Sequence, residues 1–198
     1  MALPAPSRAR KRTVAKTVSR FLSVRYDPRM TVSIAAHHDH DHAACVADVL
    51  ARAEACCDAS GARLTPLRRR VLQTLAQSHV PLGAYDLVER LGTDGERPPP
   101  MSVYRALDFL VAEGLAHRIE SRNAFLACGR AHEADDVIVF LICERCGLTD
   151  EVASHAIGRD IAWATRAAGF TPRTPVLEIA GTCARCRAQA AAGAASGD

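Results

Sequence analysis

No stretch of this sequence approaches the roughly 18 consecutive apolar residues that a membrane-spanning helix needs. Nor does its beginning carry the apolar segment and small-residue cleavage site of a secretory signal. These absences leave the cytoplasm as the expected compartment, with no membrane partner. A global positive field is missing as well. Residues 1–29 carry eight Lys or Arg against one Asp, so the other residues have a net charge of −4 although the whole chain is +3. Any nucleic-acid binding by the folded part must therefore use a local basic face. What is present is enough for a core, because 198 residues are 48% apolar, and for metal chemistry, because the chain has eight cysteines. In a reducing compartment these are ligands or small buried hydrophobes rather than disulfides.

Residues 1–42 read as a tail, basic and then rich in histidine between Ala36 and His42, without sustained periodicity, and disorder is expected there. Met30 is an alternative start. From 43 to 60, Val46, Val49, Leu50 and Ala53 recur at helical spacing until Gly61, with Cys56 and Cys57 as packing residues. A second helix starts at Pro66 behind the hydroxyl of Thr65. Its stripe is Val71, Leu72 and Leu75, and Arg68, Arg69 and Arg70 surround its first turns with positive charge. A third follows Gly83 through Leu91. A fourth, expected to be capped by Ser102, places Val103, Ala106, Leu107, Leu110 and Val111 on one face, which turns Tyr104, Arg105 and Asp108 outward. Two short strands follow, near 116–120 and 124–128. Helices and then a hairpin form the pattern of a winged helix-turn-helix, whose last helix suits a DNA major groove, though protein-interaction modules share it.

Beyond a linker at 129–136, the continuous apolar run Val137-Ile138-Val139-Phe140-Leu141-Ile142 predicts a strand buried on both faces. It opens a small second module at 137–188, with a helix near 154–168 stopped by Gly169 and a strand near 176–180. Residues 189–198 are expected to be a disordered tail. The fold class is α+β: a winged-helix domain at 43–128 and a small α/β domain after the linker.

Two Cys-x-x-Cys pairs, Cys143 with Cys146 and Cys183 with Cys186, each follow a predicted strand. Together they can deliver four thiolates in the closed tetrahedron of structural zinc, with no open position for catalysis. A second constellation, His117, Cys128, His132, Asp136 and Glu151, borders the junction of the two modules. A four-residue hairpin turn would set His117 directly opposite Cys128, and a three-residue turn would offset them by one. Thiolate, imidazole and carboxylate together suit Zn²⁺ better than Mg²⁺ or Mn²⁺. One ligand set drawn from a hairpin, a linker and a second module would fasten their relative orientation, which is the construction of a switch. A zinc enzyme using this site, with Glu151 as base, is the rival from another class, but the chain lacks any substrate-binding motif.

The segments Arg63-Leu64-Thr65-Pro66, Ala84-Tyr85-Asp86-Leu87, Val103-Tyr104-Arg105-Ala106-Leu107-Asp108-Phe109-Leu110 and Cys143-x-x-Cys146-Gly147 resemble ferric uptake regulator proteins over residues 43 to about 188. The resemblance implies a winged helix, a C-terminal dimerisation domain making homodimers, and metal-dependent binding to AT-rich inverted repeats in double-stranded DNA. Iron-sensing members typically carry His-His-Asp-His where this chain reads Val137 to Phe140, and a further histidine where it has Val176. Those losses point away from iron and peroxide sensing. The zinc-uptake branch of the family is similar to this chain at His117, Cys128 and Glu151. Its fourth ligand is a linker histidine, for which His132 is the candidate here and Asp136 the substitute. The resemblance thus implies two zinc ions per subunit, one structural and one regulatory. For DNA it points to Tyr85 and Arg105 with Tyr104 nearby, and Arg68 joins them as a candidate. A sensor of iron or manganese in the same fold is the alternative.

Overall fold

The computed structural model describes residues 42–93, 95–129, 137–172 and 176–195. The basic and histidine-rich segment through residue 41, and the linker positions His132 and Asp136, lie outside the described residues. The elements run α1 His42–Ser60, α2 Pro66–Ala76, α3 Ala84–Thr93, α4 Pro100–Ala112, β1 Ala116–Ile119, a 3-10 turn Glu120–Arg122, and β2 Ala124–Ala127. The C-terminal module follows with β3 Val137–Cys143, β4 Thr149–Ser154, α5 His155–Ala167, β5 Leu177–Gly181 and α6 Ala184–Ala195. Both modules fall within one compact unit. Among the described residues no helix is long and apolar enough to cross a membrane.

The N-terminal core forms as the helical spacing predicts. Ala53 and Cys57 of α1, Val71, Leu72 and Leu75 of α2, Leu87 and Leu91 of α3, and Val103, Leu107 and Leu110 of α4 bury into one cluster. Thr65 caps α2 by accepting the Arg68 N–H at 3.5 Å, with Pro66 at the start of the helix. Helix α4 departs from expectation at both ends. It begins at Pro100 rather than behind Ser102, and the N–H of Ser102 donates to the Pro99 carbonyl at 2.9 Å. Proline fits the first helical position because it has no N–H to leave unpaired, so the Pro-rich run starts the helix and Ser102 falls within its first turn. Val111, expected on the buried face, is 37% exposed at the far end.

The wing closes with Ile119 opposite Ala124 and Asn123 in the left-handed conformation at φ 45°. Leu82 adds a bridge to Phe125, with N–H···O distances of 2.8 and 2.9 Å. In the C-terminal sheet β3 is central, antiparallel to β4 and parallel to β5. The hydrophobic pattern does not reveal β4, because its buried positions are Thr149, Glu151 and Ser154, polar residues where alternation normally puts apolar ones. Residues 189–195, expected in a disordered tail, continue helix α6. Its Ala-rich sequence favours helix by intrinsic propensity, without the buried stripe that periodicity detects.

Candidate metal centres and DNA-facing surface

Parallel pairing of β3 with β5 sets Cys143 beside Gly181, so both knuckles emerge from the same end of the sheet. Cys143 ends β3, Cys146 lies in the turn after it, Cys183 follows β5, and Cys186 sits in the first turn of α6. One sulfur from each lies within 4.8 Å of all the others, and the Cys146 and Cys183 sulfurs are 3.8 Å apart. That exceeds the ~2.05 Å of a disulfide but matches the roughly 3.8 Å edge of a tetrahedron built on Zn–S bonds of about 2.3 Å. The N–H of Cys183 points at the Cys143 sulfur, 3.4 Å away. It leads the amide donors, with that of Cys146 next, that hold the Cys143 thiol down at about 6. Burial, and then the neighbouring sulfurs, push Cys186 up to about 12. A cation among the four sulfurs would offset the cost of ionising Cys186, which is the donor chemistry zinc fits.

The second cluster unites His117 from β1, Cys128 just past β2 and Glu151 from β4, with one ligand atom of each within 4.8 Å of the others. The register is neither of those the turn length suggested. His117 pairs with Leu126, and the Cys128 N–H donates to Leu115 O at 3.0 Å, so His117 and Cys128 are diagonal neighbours two residues apart. A two-residue offset keeps both on one face of the hairpin. Glu151, 9% exposed, brings Oε1 to 3.5 Å from His117 Nε2, while its Oε2 accepts the Gly129 N–H at 3.2 Å. Imidazole, thiol and a buried carboxylate in one cluster suit zinc and leave a fourth position. The sequence did not single out Arg52. This α1 residue donates to the Cys128 carbonyl and, at 3.2 Å, to that of Gly129. Its charge sits among ordinary surface arginines and gives no signal in sequence.

On the DNA-facing candidates, Tyr85 at the start of α3 is 71% exposed and meets the half-buried Tyr104 of α4 edge-on at 6.5 Å. Arg105 is exposed beside it. Arg68 is placed differently. Its guanidinium lies 3.5 Å over the Phe109 ring and donates to the Arg63 carbonyl at 2.6 Å. Its neighbours are also engaged, Arg69 with Glu54 and Arg70 with the Leu91 carbonyl at 2.8 Å.

Residues 59–180 match the model of the Ferric uptake regulator family. The Zinc uptake regulation protein of Escherichia coli K12 is 34% identical over 139 residues, which cover 70% of this chain and 81% of that protein. The chain belongs to the ferric uptake regulator family. Within it the likeness is to zinc uptake regulators, and the Shigella flexneri protein of the same description matches to the same extent. Among solved structures of the family, a zinc uptake regulator complexed with zinc and DNA superposes with a TM-score of 0.70 at 33% identity, covering 74% of this chain and 97% of that one. The holo form of XcZur gives 0.66 at 38% identity, covering 71% and 98%. The family match includes His117, Cys128, Cys143, Cys146 and Glu151, while Cys183 and Cys186 lie just beyond it.

Proposed function

We propose that this member of the ferric uptake regulator family is a cytoplasmic, zinc-responsive transcriptional repressor that binds promoter DNA as a homodimer and controls zinc-uptake genes. The observation that carries this reading is the convergence of His117 and Cys128 from the wing with Glu151 from the C-terminal sheet. With His132 or Asp136 as fourth ligand these residues would hold a regulatory zinc, and Cys143, Cys146, Cys183 and Cys186 a structural one, two per subunit. Bound zinc supplies the positive charge that lets thiolate, imidazole and carboxylate share the junction. The chain's own groups do the rest. Arg52 fixes the Cys128 and Gly129 carbonyls, Gly129 orients the Glu151 carboxylate, and Phe140 backs the His117 ring at a centroid distance of 5.2 Å. With the wing so fixed, α4 offers Arg105 to a guanine edge and, with Tyr85 from the start of α3, Tyr104 to phosphate or a thymine methyl in AT-rich inverted repeats.

The dimer is supported by apolar surface in the C-terminal half, where Trp163 is 74%, Phe170 64%, Val176 46% and Ile179 56% exposed, and by α5, which buries none of its residues in the single chain. The relatives are regulators by description, and the family is not one of enzymes. The deciding experiment titrates promoter-fragment binding against buffered free zinc, iron and manganese. Binding that rises with zinc at the lowest free concentration supports the reading. Binding indifferent to metal, or answering iron or manganese first, would overturn it.

A further inference from the structure

One row of side chains crosses the C-terminal sheet beneath the wing. Phe140 of β3 lies opposite Glu151 of β4 on one side and opposite Glu178 of β5 on the other, and residues at matched positions share a face of the sheet. Glu151 joins the junction cluster, and Phe140 packs beneath the wing with Ile119 and Ile142. Glu178 meets the far end of the wing. Its Oε1 accepts the Glu120 N–H at 2.6 Å and its Oε2 that of Ser121 at 3.2 Å. These amides open the 3-10 turn at the wing tip, where Ile119 offers no side-chain cap. From the same turn the Arg122 guanidinium donates to the Cys143 carbonyl at 3.4 Å, reaching the tetra-cysteine centre.

We infer that Glu178 is a positioning residue for the zinc response, a clasp on the wing tip that populates the closed arrangement of His117, Cys128 and Glu151 before metal arrives. The inference rests on the repressor reading above. A carboxylate accepting two amide N–H groups makes charge-assisted bonds stronger than neutral ones. These bonds exist only while the wing lies on the sheet, so they bias a two-state equilibrium toward closure. The apparent affinity of a ligand falls with the fraction of protein competent to bind it. Loss of the clasp should therefore raise the free zinc needed for DNA binding and leave the plateau at saturating zinc intact. A residue that merely supports strand β5 would lower melting and dimerisation without moving that midpoint.

The test uses full-length protein and a duplex selected from a random pool by the zinc-loaded wild type. Glu178→Ala should raise the free-zinc midpoint about tenfold, with a coupling of ordinary allosteric size, and Glu178→Gln, which keeps the shape but loses the charge, by less. Zinc content at the four cysteines should not change. In parallel, dipolar distances between labels on non-natural residues replacing Arg118 and Arg159 should broaden in zinc-free Glu178→Ala relative to wild type, and sharpen again at saturating zinc. An unchanged midpoint overturns the inference, as does a lowered one, which would make the clasp a restraint on an inactive state. If Glu178→Ala fails to fold, the isosteric Glu178→Gln decides by the same criteria. If wild-type DNA binding proves indifferent to zinc, the repressor reading fails by itself, and unchanged distances in the variants then overturn the clasp independently.

Discussion

At the scale of single residues, the two arginines proposed to face DNA have different environments and should fail differently. Arg105 is exposed on α4, whereas Arg68 is spread over Phe109. Arg105→Ala is expected to weaken selected-site binding by about 1–3 kcal/mol with zinc content unchanged, as the loss of a base-edge contact does. Arg68→Ala should leave discrimination between selected and random duplexes intact and cost roughly 0.5–1 kcal/mol of folding stability through the lost cation–π contact. Denaturant melts beside binding curves on both duplexes separate the two. For the junction, Cys128→Ala should keep the tetra-cysteine zinc and the dimer but lose zinc-responsive binding, since a metal released from the wing cannot couple it to Glu151. The same titration on His132→Ala and Asp136→Ala identifies the fourth ligand as the one whose loss shifts the midpoint by more than about tenfold. A Cys128→Ala protein with wild-type zinc dependence would refute the switch.

At the scale of elements, what could be read from the sequence follows from which physical signal each element carries. The stripe of α2, that of α4 as far as Leu110, the Thr65 cap and the apolar run of β3 are carried by periodicity and capping chemistry, and they appear where expected. The tetra-cysteine centre was equally legible, because thiolate spacing is its own signal. Strand β4 was not, since its inward positions are polar, two of them in use as Glu151 of the junction cluster and the α5 cap Ser154, whose Oγ accepts the Ile157 N–H at 3.3 Å. Helix α6 was missed for the opposite reason, because it has helical propensity without a buried stripe. Glu178 and Arg122 could not be found at all, as their role depends on which turn the β5 edge meets. The same view of the elements predicts the consequence of Cys183→Ser. The four sulfurs tie the ends of β3 and β5 to the start of α6, so the variant should lose the less labile zinc together with cooperative melting of the C-terminal sheet. Circular dichroism and metal analysis test this, and unchanged melting and dimerisation would remove the structural role.

For the whole molecule, the proposed reading of a closed four-thiolate centre and a mixed-donor junction predicts two zinc ions of unequal lability per subunit. A mild chelator should remove one and abolish DNA binding while the dimer persists, whereas one zinc per subunit in fully loaded protein would contradict the two-centre arrangement. The charge distribution makes a separate prediction. Since eight of the basic residues lie in 1–29 and the remaining chain is net negative, removing that segment should weaken binding to selected and random DNA alike. It should also flatten the salt dependence, because contacts to phosphate carry no sequence information. Equal salt slopes before and after truncation would assign the phosphate contacts to the folded modules instead.

The parallel pairing of β3 with β5 has a further consequence during synthesis. The winged helix is complete once Cys128 has emerged, but Cys143 must wait for Cys183, 40 residues further along, and at about 5–20 residues per second that is an interval of roughly 2 to 8 s. Through it β3 lacks its parallel neighbour, and the first knuckle offers two thiolates without the pair that closes the centre. The winged helix is therefore finished before the four-cysteine centre can close. A nascent chain interrupted in that window would carry a complete winged helix beside a half-built cysteine centre.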